Sequence, residues 1–361
     1  MNTAKLKVII ADSSNYSRLV LANMVQEQPD LEVLDTASDG ASLIEALRQH
    51  RPDVVLADLA GMSTGARARL LRRLHQETGV PVLAVLDQQN GAAATFKDAN
   101  EFGVYDYVFK PAHKLQPSLR SLQVEILNKI RAARRSVVAP GFSFQNATVL
   151  PLKSKRAAAE PKGLIVIGAS TGGAQAIEKI VASLDTSLEA CVLVALHLPA
   201  GFTASFAKRL QALTPLNVVE AKPGTRLQKG KIIIAPGGKN TLLLPGFNSL
   251  SEARLTFTAA APDEFNQPSV DVLMRSAALC GGNNLLGVVL TGMGMDGTDG
   301  LRAIQHSGGT TLAQDQESSA IFGMARSAID KGCVKYVRPL NRIADFINRF
   351  VAELPALEPA F

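Results

Sequence analysis

Three polar residues in the second half of this chain each follow an apolar run. Ser170 follows Leu164-Ile165-Val166-Ile167 across Gly168-Ala169, and His197 follows Cys191-Val192-Leu193-Val194-Ala195-Leu196. Asp296 stands in Thr291-Gly292-Met293-Gly294-Met295-Asp296-Gly297, directly after Leu285-Leu286-Gly287-Val288-Val289-Leu290. These are the residue types of a nucleophile, a base and an orienting acid. An imidazole can deprotonate the hydroxyl, and a carboxylate can fix the ring's tautomer and stabilise the imidazolium. Backbone N–H groups opening a helix just after Ser170 would serve as oxyanion donors. The same serine also reads as a helix cap, and Gly168, Gly172 and Gly173 as a cradle for phosphate. Both readings stand at this point.

Chemistry of this kind needs strands that end on one edge. Each of the three runs is short, apolar and rich in β-branched residues, as strands covered on both faces are. Strand ends on one edge of a parallel sheet face one crevice, where ligands of such folds gather. The other histidines, His50, His75, His113 and His306, follow no strand of this half. The first half shows the same alternation. Strand-like Lys7–Ala11, Val54–Ala57, Val80–Leu86 and Tyr105–Val108 alternate with helical patterns at 17–27, 41–49, 65–76 and 115–130. The expected class is therefore α/β, with two doubly wound parallel-sheet domains. Asp12, Asp58 and Lys110 fall at strand ends of the first one, where aspartates also serve simply to end strands.

At 361 residues the chain has room for two cores. Its net charge of +6 suggests nucleic acid until it is located. Residues 131–162 hold seven basic residues against Glu160 alone, which accounts for the whole excess, and Pro140, Pro151 and Pro161 lie among them. That segment reads as a basic linker, not as a nucleic-acid-binding face. The expected layout is a domain over 1–130, the linker, and a catalytic domain over 163–355. No apolar run is long enough for membrane insertion, and the N-terminus lacks the core of a signal peptide. Cys191, Cys280 and Cys333 are widely spaced in apolar surroundings, which suits reduced thiols and a cytoplasmic location.

Asp12, Asp58 and Lys110 in register resemble the receiver domain of bacterial response regulators, which is flavodoxin-like. By that resemblance Asp58 accepts a phosphoryl group from a histidine kinase, Asp12 and Asp58 hold Mg²⁺ weakly, and Lys110 binds the phosphate. The pattern is degenerate. Ser13 stands for the second acid of the family, Leu86 for the hydroxyl residue ending the fourth strand, and Gly61-Met62 for Met-Pro. A carboxylate fewer predicts weak Mg²⁺ affinity.

Four segments of the second half resemble the signatures of protein-glutamate methylesterases of bacterial chemosensory systems, the CheB type. They are Ile167–Gly173, His197-Leu198-Pro199, Pro268-Ser269-Val270-Asp271-Val272-Leu273 and Thr291–Gly297. The resemblance implies a Rossmann-like catalytic domain behind the receiver. It makes Ser170 the nucleophile, His197 the base and Asp296 the orienting acid, with N–H groups near Thr171 and Met293 lining the oxyanion hole. It further implies glutamyl methyl esters on chemoreceptor cytoplasmic helices as substrate, glutamine deamidation as a related activity, and no cofactor for the esterase. The unphosphorylated receiver is expected to cover the cleft. Asn240 stands where the family commonly has His, Ala325 where Pro is usual, and Ala261–Gln267 matches loosely. Asp299 reads as the cap of the helix after Gly297. Two readings from other classes are a nucleotide-binding α/β signalling module and a catalytically silent response-regulator scaffold. Against the first, the glycines depart from Gly-x-Gly-x-x-Gly, no P-loop lysine follows, and Asp185 sits in a turn.

Overall fold

The structure, a computed structural model, describes residues 4–59, 62–87, 104–110, 119–134, 159–246, 249–258 and 267–355. The chain forms two compact units, Met1–Asn146 and Ala147–Phe361. Most of the basic linker, 135–158, lies outside the described residues, as do Gly61, His113 and 261–266.

The first unit carries strands β1 (Leu6–Ala11), β2 (Leu31–Ala37), β3 (Val54–Asp58), β4 (Val82–Asp87) and β5 (Val104–Lys110). They form one parallel sheet in the order β2-β1-β3-β4-β5. Helices α1 (Asn15–Gln26), α2 (Gly40–Gln49) and α3 (Thr64–Glu77) follow the first three strands, and α4 (Gln123–Ala133) closes the unit. Strand β2 is absent from the sequence reading. It pairs only with β1 and is half-buried, and an edge strand tolerates the charges of Glu32 and Asp35 that break its apolar pattern. The helix expected over 115–130 begins, within the described residues, with a 3₁₀ turn at Leu119–Leu122 and runs to Ala133. Asp39 starts α2 through a capping box with Ser42, its carboxylate accepting from the Ser42 amide at 2.8 Å.

The second unit is built on seven parallel strands: β6 (Gly163–Ala169), β7 (Ala190–Leu196), β8 (Asn217–Glu220), β9 (Lys231–Ile234), β12 (Leu285–Val289), β13 (Thr310–Gln314) and β14 (Tyr336–Arg338). Their order is β14-β13-β12-β6-β7-β9-β8, and β10 (Asn240–Leu244) pairs antiparallel with β11 (Arg254–Thr258) apart from them. Every residue of β6, β7 and β12 is buried, because helices cover both faces. Ile165 and Ile167 pack with α5 (Gly173–Ala182), α6 (Phe202–Gln211) and α10 (Leu340–Glu353) on one side. Leu164 and Val166 pack with α7 (Val270–Gly281), α8 (Thr298–His306) and α9 (Met324–Asp330) on the other. Alternate residues of β6 thus serve opposite cores. From β6 the chain winds one way through β7 and later the other way through β12. The switch in direction lies between β6 and β12, the place where such sheets bind ligands.

Candidate active site

The register puts the serine and the histidine side by side. Ala169 of β6 is opposite Leu196 of β7, so the next residues, Ser170 and His197, leave neighbouring strands together. Parallel neighbours lie about 4.8 Å apart. The His197 amide donates to the Ala169 carbonyl at 3.1 Å, and the Ser170 amide to the Thr291 carbonyl at 3.1 Å. The ends of β7, β6 and the segment following β12 are therefore locked in one row. Among the described residues the Ser170 hydroxyl has no hydrogen-bond partner. The helix behind it, α5, opens at Gly173 after Gly172 at φ +74°, with no side-chain cap. The Gly173 amide donates to the Ser170 carbonyl at 2.7 Å, while the Thr171 amide just ahead has no acceptor among the described residues and is left for another.

Two glycines permit the close approach. A Cβ at Gly168 would stand 2.2 Å from Val270 Cγ1, so only glycine lets the start of α7 settle on the end of β6. A Cβ at Gly292 would meet Met324 Sδ at 2.3 Å and Ser170 Cβ at 2.8 Å. The Met293 segment consequently passes directly against the serine, anchored where the Met324 amide donates to the Gly292 carbonyl at 2.9 Å.

The histidine and aspartate are in contact. His197 Nε2 lies 2.8 Å from Asp296 Oδ2, and both side chains are largely buried. The Val270 amide donates to the same oxygen at 2.7 Å. Asp296 Oδ1 accepts from the Asp271 amide at 2.8 Å and from Ser269 Oγ at 3.1 Å. Burial alone would raise this carboxyl, but the His197 hydrogen bond and charge, with the Asp271 and Val270 amides, leave it below its ordinary value. Asp296 is thus held as a carboxylate. An ionised carboxylate only accepts, so Nε2 carries the hydrogen and the lone pair sits on Nδ1.

One sequence reading is corrected by this geometry. Asp299 does not cap α8. It is exposed and pairs with Arg302 at 2.6 Å, while Asp271 accepts from the Gly297 and Gly300 amides at 2.9 and 2.7 Å. Asn240, the first residue of β10, also bears on the site. Its Oδ1 accepts from the Ser269 amide at 2.9 Å, one link from Asp296. In the sequence Ser269 and Asp271 stand only as members of the 268–273 motif, and a serine opening a helix two residues before an aspartate is the one signal of their role. Ala325 is the second residue of α9, buried, a first-turn position that proline also suits. Asp185 lies just past α5 with its amide on Asn348 Oδ1 at 3.1 Å.

In the first unit, Ala11 of β1 is opposite Ala57 of β3, so Asp12 follows a strand beside the one that ends in Asp58. Lys110, the last residue of β5, forms an ion pair with Asp58. Asp12 is buried, its Oδ1 accepts from the Ser14 amide at 2.8 Å, and among the described residues its Oδ2 has no partner. Burial pushes its carboxyl above the ordinary value. The Asp58 charge adds to this, and the Ser14 amide and Lys110 oppose it. Ser13 is exposed, and Leu86 is fully buried. Among the described residues no group of three or more His, Cys, Asp or Glu is placed to hold a metal. Two carboxylates, one with an unpartnered buried oxygen, suit a divalent cation but leave it short of anionic ligands. No described helix is long and apolar enough to cross a membrane.

Comparison with known proteins agrees with both units. Residues 165–347 match the model of the CheB methylesterase family, and residues 8–118 that of the response regulator receiver domain. A protein-glutamate methylesterase/protein-glutamine glutaminase of Myxococcus xanthus is 37% identical over 338 residues, which cover 94% of this chain and 95% of that protein. One from Pyrococcus abyssi is 35% identical over 96% of this chain and 94% of its own length. The crystal structure of the Thermotoga maritima CheB methylesterase catalytic domain, 34% identical, superposes with a TM-score of 0.50 over 52% of this chain and 97% of its own. The chain belongs to the CheB methylesterase family and carries, ahead of its esterase unit, a response-regulator receiver domain.

Proposed function

We propose that this enzyme hydrolyses γ-glutamyl methyl esters on the cytoplasmic helices of chemoreceptors, and γ-amides of selected glutamines, through Ser170, His197 and Asp296. The observation that carries the reading is the row of strand ends. Ser170 and His197 leave adjacent strands in register, and His197 Nε2 is 2.8 Å from Asp296. With Nε2–H committed to Asp296, Nδ1 is the nitrogen that takes the Ser170 proton as Oγ attacks the carbonyl carbon. The N–H groups of Thr171 and Met293 stabilise the oxyanion. His197 then gives that proton to the leaving group, so that an ester releases methanol and a glutamine amide releases ammonia. Water, deprotonated by the same nitrogen, cleaves the acyl-serine to leave glutamate. No cofactor enters these steps.

The receiver is proposed to restrain the esterase until a histidine kinase phosphorylates Asp58. Mg²⁺ would be held by Asp12 and Asp58 and would offset charge on the phosphoryl group, with Lys110 as the other positive partner. Ser13 in place of a carboxylate and Leu86 in place of a hydroxyl make that response weak. The test of the esterase reading is methanol release from methylated receptor membranes. Ser170→Ala lowers kcat on the order of 10³-fold or more, and near-normal release by that variant would sink the assignment.

A further inference from the structure

Helices α7 and α8 exchange caps. Asp296, just ahead of α8, accepts from Ser269 Oγ and from the Val270 and Asp271 amides at the start of α7. Asp271, the second residue of α7, accepts in return from Gly297 and Gly300 at the start of α8. Gly297 is the residue after Asp296, so the loop is gripped at both ends. Its carboxylate is bound to α7, and its next amide is bound to the α7 side chain. Helix α8 has no side-chain cap of its own at Gly297.

We propose that Asp271 is the positioning residue of the triad: by holding the Gly297 and Gly300 amides it keeps Asp296 against His197. This rests on the reading of Ser170, His197 and Asp296 as the triad. A neutral acceptor would serve equally well as a cap here. An asparagine Oδ1 could accept both amides without placing a second charge beside Asp296. The carboxylate is costly in this place. Burial, with the charges of Asp296 and Asp299 adding to it, pushes Asp271 up to about 6, against the Gly300 amide and Arg275. The other strands packed against α7, namely β6, β7, β10 and β12, carry no carboxylate, amine or imidazole. Arg275, on α7 itself, is the cation that opposes this rise, so what Asp271 gives the site is its grip on Gly297 and Gly300.

The full-length chain tests this in four variants: Asp271→Asn, Asp271→Ala, Asp296→Asn, and Asp271→Ala with Asp296→Asn. Steady-state ester hydrolysis gives kcat and KM, with thermal unfolding in parallel. Asp271→Ala lowers kcat about 10- to 100-fold while KM stays within about twofold, as a displaced catalytic group does. Asp271→Asn recovers most of kcat, because an asparagine Oδ1 still accepts from both amides. The double variant is no slower than the slower single one, since both changes act through the same carboxylate. Unchanged kcat per folded Asp271→Ala molecule, with only the unfolding temperature reduced, overturns the proposal and leaves Asp271 a helix cap. So do losses that multiply in the double variant, or an Asp271→Asn variant no faster than Asp271→Ala. Normal turnover by Asp296→Asn overturns the triad reading itself, and the proposal with it. Slow Asp296→Asn beside fully active Asp271→Ala overturns the proposal alone.

Discussion

Asp296→Asn is the sharpest test of the site, because its consequences follow from counting donors. Asp296 Oδ2 accepts from His197 Nε2 and the Val270 amide, and Oδ1 accepts from Ser269 Oγ and the Asp271 amide. Asparagine offers one oxygen and one NH₂ to these two pairs. With NH₂ toward His197, the ring must present a lone pair at Nε2, so its proton moves to Nδ1 and it cannot act as base. With NH₂ toward Ser269, the hydroxyl can turn to accept, and the tautomer survives, but the charge that supports the imidazolium is lost. Wrong tautomer is worth about 10⁴ in kcat. Loss of a hydrogen bond to a charged partner is worth about 1.5–3 kcal/mol, or roughly ten- to a hundredfold. Either orientation leaves one backbone N–H, of Val270 or Asp271, facing another donor, at about 1–3 kcal/mol of stability. At about 2–4 °C per kcal/mol for a unit of this size, the unfolding temperature falls by several degrees. Steady-state ester hydrolysis gives kcat, circular dichroism gives unfolding, and ¹⁵N resonances of His197 identify the tautomer. A variant that unfolds earlier yet keeps kcat within a few-fold of wild type would refute the reasoning. The carboxylate would then be a clamp for two helices and nothing more.

The remaining predictions concern packing, pH and control. Gly292→Ala brings a Cβ to 2.3 Å from Met324 Sδ and 2.8 Å from Ser170 Cβ, and kcat should fall on the order of 10²-fold as the Met293 segment is displaced; unchanged kcat would show that this segment supplies no oxyanion donor. For Asp271, burial first of all raises the folded value to about 6 from about 3.9 in the unfolded chain. The folded state therefore binds the extra proton between these values, and stability is lost as pH rises through that window. Asp271→Asn should accordingly gain unfolding temperature relative to wild type at pH 8 and not at pH 4, and an equal effect at both would contradict the cause given. In the receiver, acetyl phosphate with Mg²⁺ should stimulate hydrolysis little, removal of residues 1–150 should stimulate it clearly, and Ser13→Asp with Leu86→Thr should increase the phosphate response. Strong stimulation of the unaltered chain, abolished by Asp58→Asn, would show that the two missing groups matter less than their chemistry suggests.

What could be read from sequence depended on whether a residue's neighbours were local. Strands β6, β7 and β12 are uninterrupted apolar runs because both of their faces are covered, so the runs marked them and the residues at their ends. Strand β2 escaped because its exposed edge accepts charges that erase the pattern. The row of Ser170 and His197 follows from register between consecutive strands, which periodicity constrains. The bonds from Ser269, Val270 and Asp271 to Asp296 join segments some 25 residues apart, and no spacing rule connects them. Asp299 was misread for the same reason. It occupies a local capping position, and a carboxylate from another helix had already taken the amides.

Both units bring two aspartates close together, and the way each pair is satisfied separates their roles. In the esterase unit every donor around the pair is internal. Asp296 collects an imidazole, two amides and a hydroxyl, and lies below its ordinary value, while Asp271 collects two amides and lies near 6. Environments that drive two acids apart mark the one that stays ionised, and that one touches His197. The pair is complete as folded, with no donor around it still wanting an acceptor among the described residues. In the receiver, Lys110 takes Asp58, and Asp12, at a raised value, keeps a buried oxygen without a partner among the described residues. Such an oxygen costs free energy until something cationic reaches it. The deficit therefore lies in the unit that has to respond to an outside signal, and a cation arriving with a phosphoryl group is the chemistry that would remove it. Ser13 limits how much is gained on its arrival. On the proposed mechanism a finished catalytic site is joined to a sensor of low gain, and restraint by the receiver should matter more to activity than relief by phosphate.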